Sequence, residues 1–132
     1  MNKIVQEALT WLGTPYHPHA RIKGAGCDCA TFLLEVFNIK DDVGYYSPER
    51  HFHSSDEEYL GWLRKFGTEI VDPVEGDVAV FKIGRCFSHG SILVDKKTII
   101  HSHIGQGVVL ANISDFENRQ VKYFRLGKSW AG

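Results

Sequence analysis

A cysteine follows an aspartate at the start of a helical pattern, in the stretch GAGCDCATFL of residues 24 to 33. Asp28 is a good N-cap residue, so Cys29 falls in the first helical turn, where backbone N–H groups lack partners and the helix dipole is positive. Both effects favour a thiolate over a thiol, and a thiolate is a strong nucleophile for acyl transfer. A packing role, a metal site and a nucleophile are the three interpretations that the stretch allows.

Histidines that could exchange a proton with this thiol lie in the second half of the chain. His89 begins the run HGSILVD, and the next run, TIIHSHI, carries His101 and His103 on one face of a strand. A three-residue turn over 95–97 pairs His89 with His103 and puts all three rings on that face. A two-residue turn would instead put the His89 side chain on the other face of the sheet. The turn lacks the Gly or Asn that two-residue turns prefer, so we predict a three-histidine cluster beside the second helix.

The elements that would position these side chains change character along the chain. Residues 3–12, residues 28–38 and a segment ending at Gly67 show helical spacing of apolar residues. Five short runs with a period of two follow, namely DVAVFKI, HGSILVD, TIIHSHI, GVVLANI and VKYFRL. Their tight connections favour an antiparallel meander. The order predicts an α+β fold in which N-terminal helices pack on a central antiparallel five-stranded sheet.

Length and composition exclude several classes of protein. The 132 residues, 43% of them hydrophobic and 23% charged, predict one domain over residues 1–132. With a net charge of −1 and no basic block, we expect no nucleic-acid partner, and no apolar run is long enough for membrane insertion. The N-terminal MNKIVQEALTWLG lacks a continuous apolar stretch, so we expect synthesis in the cytoplasm without a signal peptide. Three cysteines, an odd number, favour reduced thiols.

Several sequence blocks, taken in order, resemble the NlpC/p60 family of cell-wall peptidases. They are ALTWLGTPY, GCDC at a helix start, GDVAVF, SHGSILVD and IIHSHIGQGVV, and phage-encoded members are the most similar in the PYHP and IHSHIGQGVV segments. The resemblance implies a papain-like cysteine peptidase fold without a cofactor. It also implies hydrolysis of bacterial peptidoglycan stem peptides, typically between D-γ-glutamate and a diamino acid. Phage tail proteins become candidate partners, with action at the cell wall after delivery by a tail or another partner.

The resemblance also assigns catalytic roles to three residues of this chain. Cys29 corresponds to the nucleophile, His89 to the base, and His101, twelve residues further on, to the residue that orients the base. The strand register alone favours His103 as the neighbour of His89, and only the family spacing favours His101. We therefore expect His101 to orient the base and His103 to line the site.

Substrate contacts are expected from residues around the nucleophile. In the family, the aspartate before the cysteine often holds the amino end of the substrate, which is Asp28 here, and the tyrosine of GTPY, Tyr16, lies beside the cysteine. We add His17 and His103 as groove residues. Many members continue with Cys-Ser-Gly where this chain has Cys29-Ala30-Thr31, so the resemblance does not extend to fine specificity.

Other functions stay open at this stage. A zinc hydrolase would draw on good ligands, namely Cys27, Cys29, His89, His101 and His103, although the chain has no C-x-x-C pair. A phage tail-tip assembly component with little or no activity is a second alternative, and an amidase or acyl transferase on the same fold is a third. For Cys27 and Cys86 we favour packing, because cysteine is among the most buried residue types.

Overall fold

Three helices form in a computed structural model that describes residues 2–41 and 56–127. They are α1 (Lys3–Leu9), α2 (Cys29–Val36) and α3 (Glu58–Phe66). The Asn2 side chain caps α1, Asp28 caps α2 as predicted, and α3 ends at Gly67 as predicted. Within the described residues, no helix has both the length and the apolar character needed to cross a bilayer.

In the described part of the chain, eight strands form a small hairpin and one large antiparallel sheet. The hairpin joins β1 (Arg21–Ile22) to β2 (Gly26–Cys27) inside the segment between α1 and α2. The sheet has the order β3-β8-β4-β5-β6-β7. Its strands are β3 (Gly67–Ile70), β4 (Val78–Ile83), β5 (Cys86–Leu93), β6 (Thr98–His103), β7 (Gly107–Asn112) and β8 (Val121–Leu126).

The sheet corrects two predictions. It has six strands, not five, because β3 follows α3 without a turn and pairs with β8 through a short, largely exposed segment that carries no alternating pattern. The meander holds only from β4 to β7. The last strand, β8, returns to the opposite side of β4 and pairs there, so the predicted five-strand meander is wrong for that strand.

The turn between β5 and β6 has the predicted register. The N–H of Val94 donates to the carbonyl of Thr98 at 2.8 Å, and Ile92 pairs with Ile100. Asp95 stabilises the three-residue turn, because its Oδ1 accepts from the N–H groups of Lys97 and Thr98, both at 2.8 Å. The odd-numbered turn is therefore confirmed.

The sheet is covered by apolar side chains on both faces. On one face, α1, α2 and α3 pack over strand residues such as Val80, Ile92 and Ile100. On the other face a smaller cluster forms around Ala79, Phe81, Leu93 and Ile99, and residues of the β7–β8 connection pack against it. Because strand side chains alternate, neighbouring residues of β5 and β6 belong to different clusters.

Candidate active site

The carboxylate of Asp28 fixes the start of α2. Its Oδ1 accepts hydrogen bonds from the N–H groups of Ala30 and Thr31, both at 2.9 Å, and the Thr31 hydroxyl accepts from the Asp28 N–H at 2.8 Å. Its Oδ2 accepts from the His19 N–H at 2.8 Å, which joins the preceding loop to the helix. With 1% of its surface exposed, Asp28 has a structural role here, and a contact with substrate stays a prediction.

The sulfur of Cys29 lies against a β-bulge in β5. Phe81 pairs with His89 while the next residue of β4 pairs with Phe87, so Ser88 is the extra residue of the bulge. The carbonyl oxygen of Ser88 lies 3.4 Å from the half-buried Cys29 sulfur. The bulge therefore brings the thiol to the backbone of the residue that directly precedes His89.

Tyr59 of α3 ties the same two elements together. Its hydroxyl donates to the carbonyl of Cys29 at 2.8 Å. A Cβ atom on Gly90, the residue after His89, would overlap that hydroxyl, so only glycine lets Tyr59 approach β5 this closely. The sequence alone does not reveal this contact, because Tyr59 on its helical stripe is indistinguishable from ordinary core.

A short hydrogen bond joins two of the predicted catalytic histidines. The Nε2 atom of His89 lies 2.6 Å from Nδ1 of His101, and the rings meet nearly edge to face at 79°. His101 is 2% exposed. Burial, assisted by the nearby His103, lowers the pKa of His101 from 6.5 to about 4, and the charge of Asp115 acts in the opposite direction. His101 is therefore uncharged at neutral pH.

The third histidine completes the cluster without entering this hydrogen bond. The ring centroid of His103 lies 5.8 Å from that of His89 and 5.2 Å from that of His101, which confirms the three-histidine cluster. Its Nδ1 lies 2.9 Å from the carbonyl oxygen of Ile104. Nε2 of His89 is thus hydrogen-bonded to His101, the residue that the family spacing favours, and the orienting role of His101 stays a prediction.

His89 lies further along its strand than predicted, because β5 starts at Cys86. The strands that carry the rings, β5 and β6, are strands on which α2 packs. The rings lie with Phe81 and Phe116, and the Cys29 sulfur lies against the carbonyl of Ser88, the residue before His89. The backbone pairs between β5 and β6 are Ile92 with Ile100 and Leu93 with Ile99, and the histidines lie next to this paired part of the two strands.

Cys27 has the environment of a packing residue. It is fully buried, and burial raises the pKa of its thiol to about 11. Ser102, between the two histidines of β6, donates from its hydroxyl to the Cys27 carbonyl at 3.1 Å and lies 3.7 Å from the Cys27 sulfur. This contact connects β6 to the segment that leads into α2. Cys86 is likewise buried, so Cys29 is the most exposed of the three cysteines.

The segment with Tyr16 and His17 runs beside Cys27. The Cys27 N–H donates to the Pro15 carbonyl at 3.1 Å, and the His17 N–H donates to the Cys27 carbonyl at 2.9 Å. Tyr16 is half-buried, and the exposed His17 ring has its Nδ1 3.2 Å from the Pro18 carbonyl oxygen. Both residues lie beside Cys27, two positions before Cys29, and their roles with substrate stay predictions.

The donor atoms do not converge as a metal site requires. Within residues 2–41 and 56–127, no three His, Cys, Asp or Glu side chains are arranged to hold a metal ion. Nε2 of His89 and Nδ1 of His101 point at each other, and Cys27 contacts Ser102. The ligand set of the zinc alternative is therefore not assembled.

Comparison with known proteins identifies the architecture. No protein-family profile and no curated protein sequence matches the chain. Among solved structures, the NlpC/p60 domain of the peptidoglycan hydrolase SagA superposes with a TM-score of 0.61 at 20% identity, covering 92% of this chain and 97% of that one. The chain has the NlpC/p60 fold.

A second NlpC/p60 structure gives the same result. It is a lipoprotein-like protein of the NLP/P60 family from Staphylococcus aureus, with a TM-score of 0.63, 19% identity and 94% of this chain covered. This chain spans 40% of the length of that protein. The NlpC/p60 fold confirms the predicted papain-like α+β class.

Proposed function

We propose that this chain is a cysteine peptidase of the NlpC/p60 family that hydrolyses peptide bonds in peptidoglycan. The observation that carries the proposal is the approach of the Cys29 sulfur, at the start of a capped helix, to the bulged residue before His89. His89 in turn is hydrogen-bonded to the buried, uncharged His101. A nucleophile, a base and a residue that orients the base are the components that thiol hydrolysis requires.

The proposed reaction begins with proton transfer from the Cys29 thiol to Nδ1 of His89. The imidazolium then donates its Nε2–H to Nδ1 of His101, which accepts only because its ring is uncharged. The thiolate attacks the peptide carbonyl, and His89 returns its proton to the leaving amine, which leaves a thioester on Cys29. Water, deprotonated by His89, hydrolyses the thioester and restores the thiol.

The start of α2 supplies the electrostatic part of the proposal. The backbone N–H of Cys29 occupies the first position of the helix, where the dipole is positive, and we assign it as a donor to the oxyanion. Removing one such donor in other enzymes slows turnover by about a hundredfold to a thousandfold.

The finer assignments depend on the sequence resemblance. The family resemblance leads us to propose cleavage between D-γ-glutamate and a diamino acid, and the PYHP and IHSHIGQGVV segments, which resemble phage-encoded members, lead us to propose phage tail proteins as partners. Action at the cell wall follows from the proposed substrate. SagA, whose domain shares the fold, is itself a peptidoglycan hydrolase.

Mass spectrometry of purified muropeptides tests the function. Wild-type protein should split stem peptides into two fragments whose masses together exceed the substrate by one water, and the Cys29→Ala variant should not. Cys86→Ala is the matched control, because it removes a buried cysteine outside the site and should keep activity. Equal cleavage by Cys29→Ala and wild type, or loss of activity to a chelator but not to iodoacetamide, would contradict the proposal.

A further inference from the structure

The ring of Phe116 covers the two hydrogen-bonded histidines. It stacks nearly parallel to His89, with centroids 5.8 Å apart and planes 19° apart. It meets His101 edge to face, at 5.9 Å and 87°. Both separations lie in the range of favourable aromatic contacts. One apolar ring therefore contacts both partners of the His89–His101 hydrogen bond.

Contacts outside the histidine pair hold Phe116 in this place. It ends a short 3-10 helix, Ile113–Phe116, in the connection from β7 to β8. The Ile113 N–H donates to the Lys97 carbonyl at 2.8 Å, which fastens the helix to the β5–β6 turn. The Phe116 ring also stacks on Phe81 of β4, at 4.3 Å and 15°. The ring is thus fixed by the turn and by the strand that pairs with His89.

We propose that Phe116 is a positioning residue, which holds the His89 ring in plane and keeps water and protons away from His101. This inference rests on the proposed function of the site. In that reaction His101 must offer a lone pair on Nδ1 to the protonated His89, and a protonated His101 would instead present a second donor. An apolar ring over the pair disfavours a positive charge on His101, because the ring excludes the water that would solvate that charge.

The titratable groups around His101 do not supply the exclusion of water that the Phe116 ring provides. His89 on β5 and His103 on β6 are its titratable neighbours on the strands, while β4 and β7 present the apolar Phe81 and Val109. Asp115 on the 3-10 helix favours protonation of His101. The 3-10 helix therefore carries both Asp115, which favours a positive charge on His101, and Phe116, which opposes that charge.

NMR titration of the histidine ring protons tests the proposal without substrate. In Phe116→Ala the midpoint of His101 should rise by about half a pH unit or more, since water then reaches the ring. Phe116→Leu keeps most of the apolar volume and should raise the His101 midpoint by a smaller amount. If Phe116→Ala fails to fold, the Phe116→Leu variant decides the test. Ile113→Ala is the matched control, because it removes packing from the same helix but leaves the ring in place.

Hydrolysis of muropeptides gives the second readout. Phe116→Ala should lower kcat by roughly tenfold with KM within about twofold, because His89 is misplaced while the groove is intact. Phe116→Tyr should restore the rate. Unchanged His101 midpoints in Phe116→Ala and Phe116→Leu, or the same shift in Ile113→Ala, would overturn the inference. If the midpoint moves but wild type cleaves no muropeptide, the proposed function fails, while the effect of Phe116 on the charge of His101 stands.

Discussion

Replacing His101 by asparagine should make folding less sensitive to acid. The wild-type ring is 2% exposed, and burial lowers its pKa from 6.5 to about 4. Between these values the unfolded chain binds a proton that the folded protein excludes, so stability falls as the pH falls through this window. Asparagine does not titrate, and its Oδ1 can still accept a hydrogen bond from His89.

The size of the effect follows from the two pKa values. The gap between 6.5 and about 4, at about 1.36 kcal/mol per pH unit, is worth roughly 3 kcal/mol of unfolding free energy. Wild type should lose up to this amount through His101 when the pH is lowered from 7.5 to 4. The variant lacks this contribution. It should be less stable than wild type at pH 7.5, and the difference should narrow by about 1 to 3 kcal/mol at pH 4.

Urea unfolding followed by tryptophan fluorescence at pH 7.5 and pH 4 measures the change. His19→Asn is the matched control: it makes the same replacement on an exposed loop ring, and asparagine tolerates the positive φ of that residue. Its stability should follow the wild-type pH dependence. Parallel losses of stability in wild type and His101→Asn would refute the argument that burial of a neutral His101 makes the fold acid-sensitive.

Three further substitutions test the contacts around the nucleophile. Gly90→Ala should cost about 1 to 3 kcal/mol in urea unfolding, because the new methyl group overlaps the Tyr59 hydroxyl, whereas Gly61→Ala, with open space around it, should be neutral or stabilising. Tyr59→Phe removes only the hydrogen bond to the Cys29 carbonyl, so it should lower the free energy of unfolding by about 1 kcal/mol. It should also lower kcat more than it raises KM, and an unchanged kcat would contradict this role. Ser102→Ala should cost about 1 kcal/mol by releasing the Cys27 carbonyl from β6, and unchanged stability would show that this link is dispensable.

Features that depend on local chemistry could be predicted from the sequence. Asp28 followed by Cys29 specifies a capped helix start, and the structure has that cap. The Asp95 turn specifies its own register through side-chain hydrogen bonds, which places His89 with the histidines of β6. In each case the residues that decide the outcome lie within a few positions of one another.

Features that depend on distant contacts were missed. The strand β3 has no alternating pattern, and it forms because β8 returns to pair with it. The bulge at Ser88 changes no residue type, yet it brings the Cys29 sulfur to β5. The Phe116 ring lies over the histidines although it is far from them in sequence, and no local signal marks it. Packing across the sheet determines all three.

Selective alkylation of Cys29 tests the central claim, that His89 activates this thiol. A short iodoacetamide pulse at pH 5.5, followed by peptide mapping, measures all three cysteines in one sample. We predict modification of Cys29 while Cys27, whose pKa is raised to about 11, and the buried Cys86 are spared. In His89→Ala, modification of Cys29 should fall by about tenfold or more. Equal labelling of Cys29 in wild type and His89→Ala, or labelling no faster than Cys27, would contradict the account.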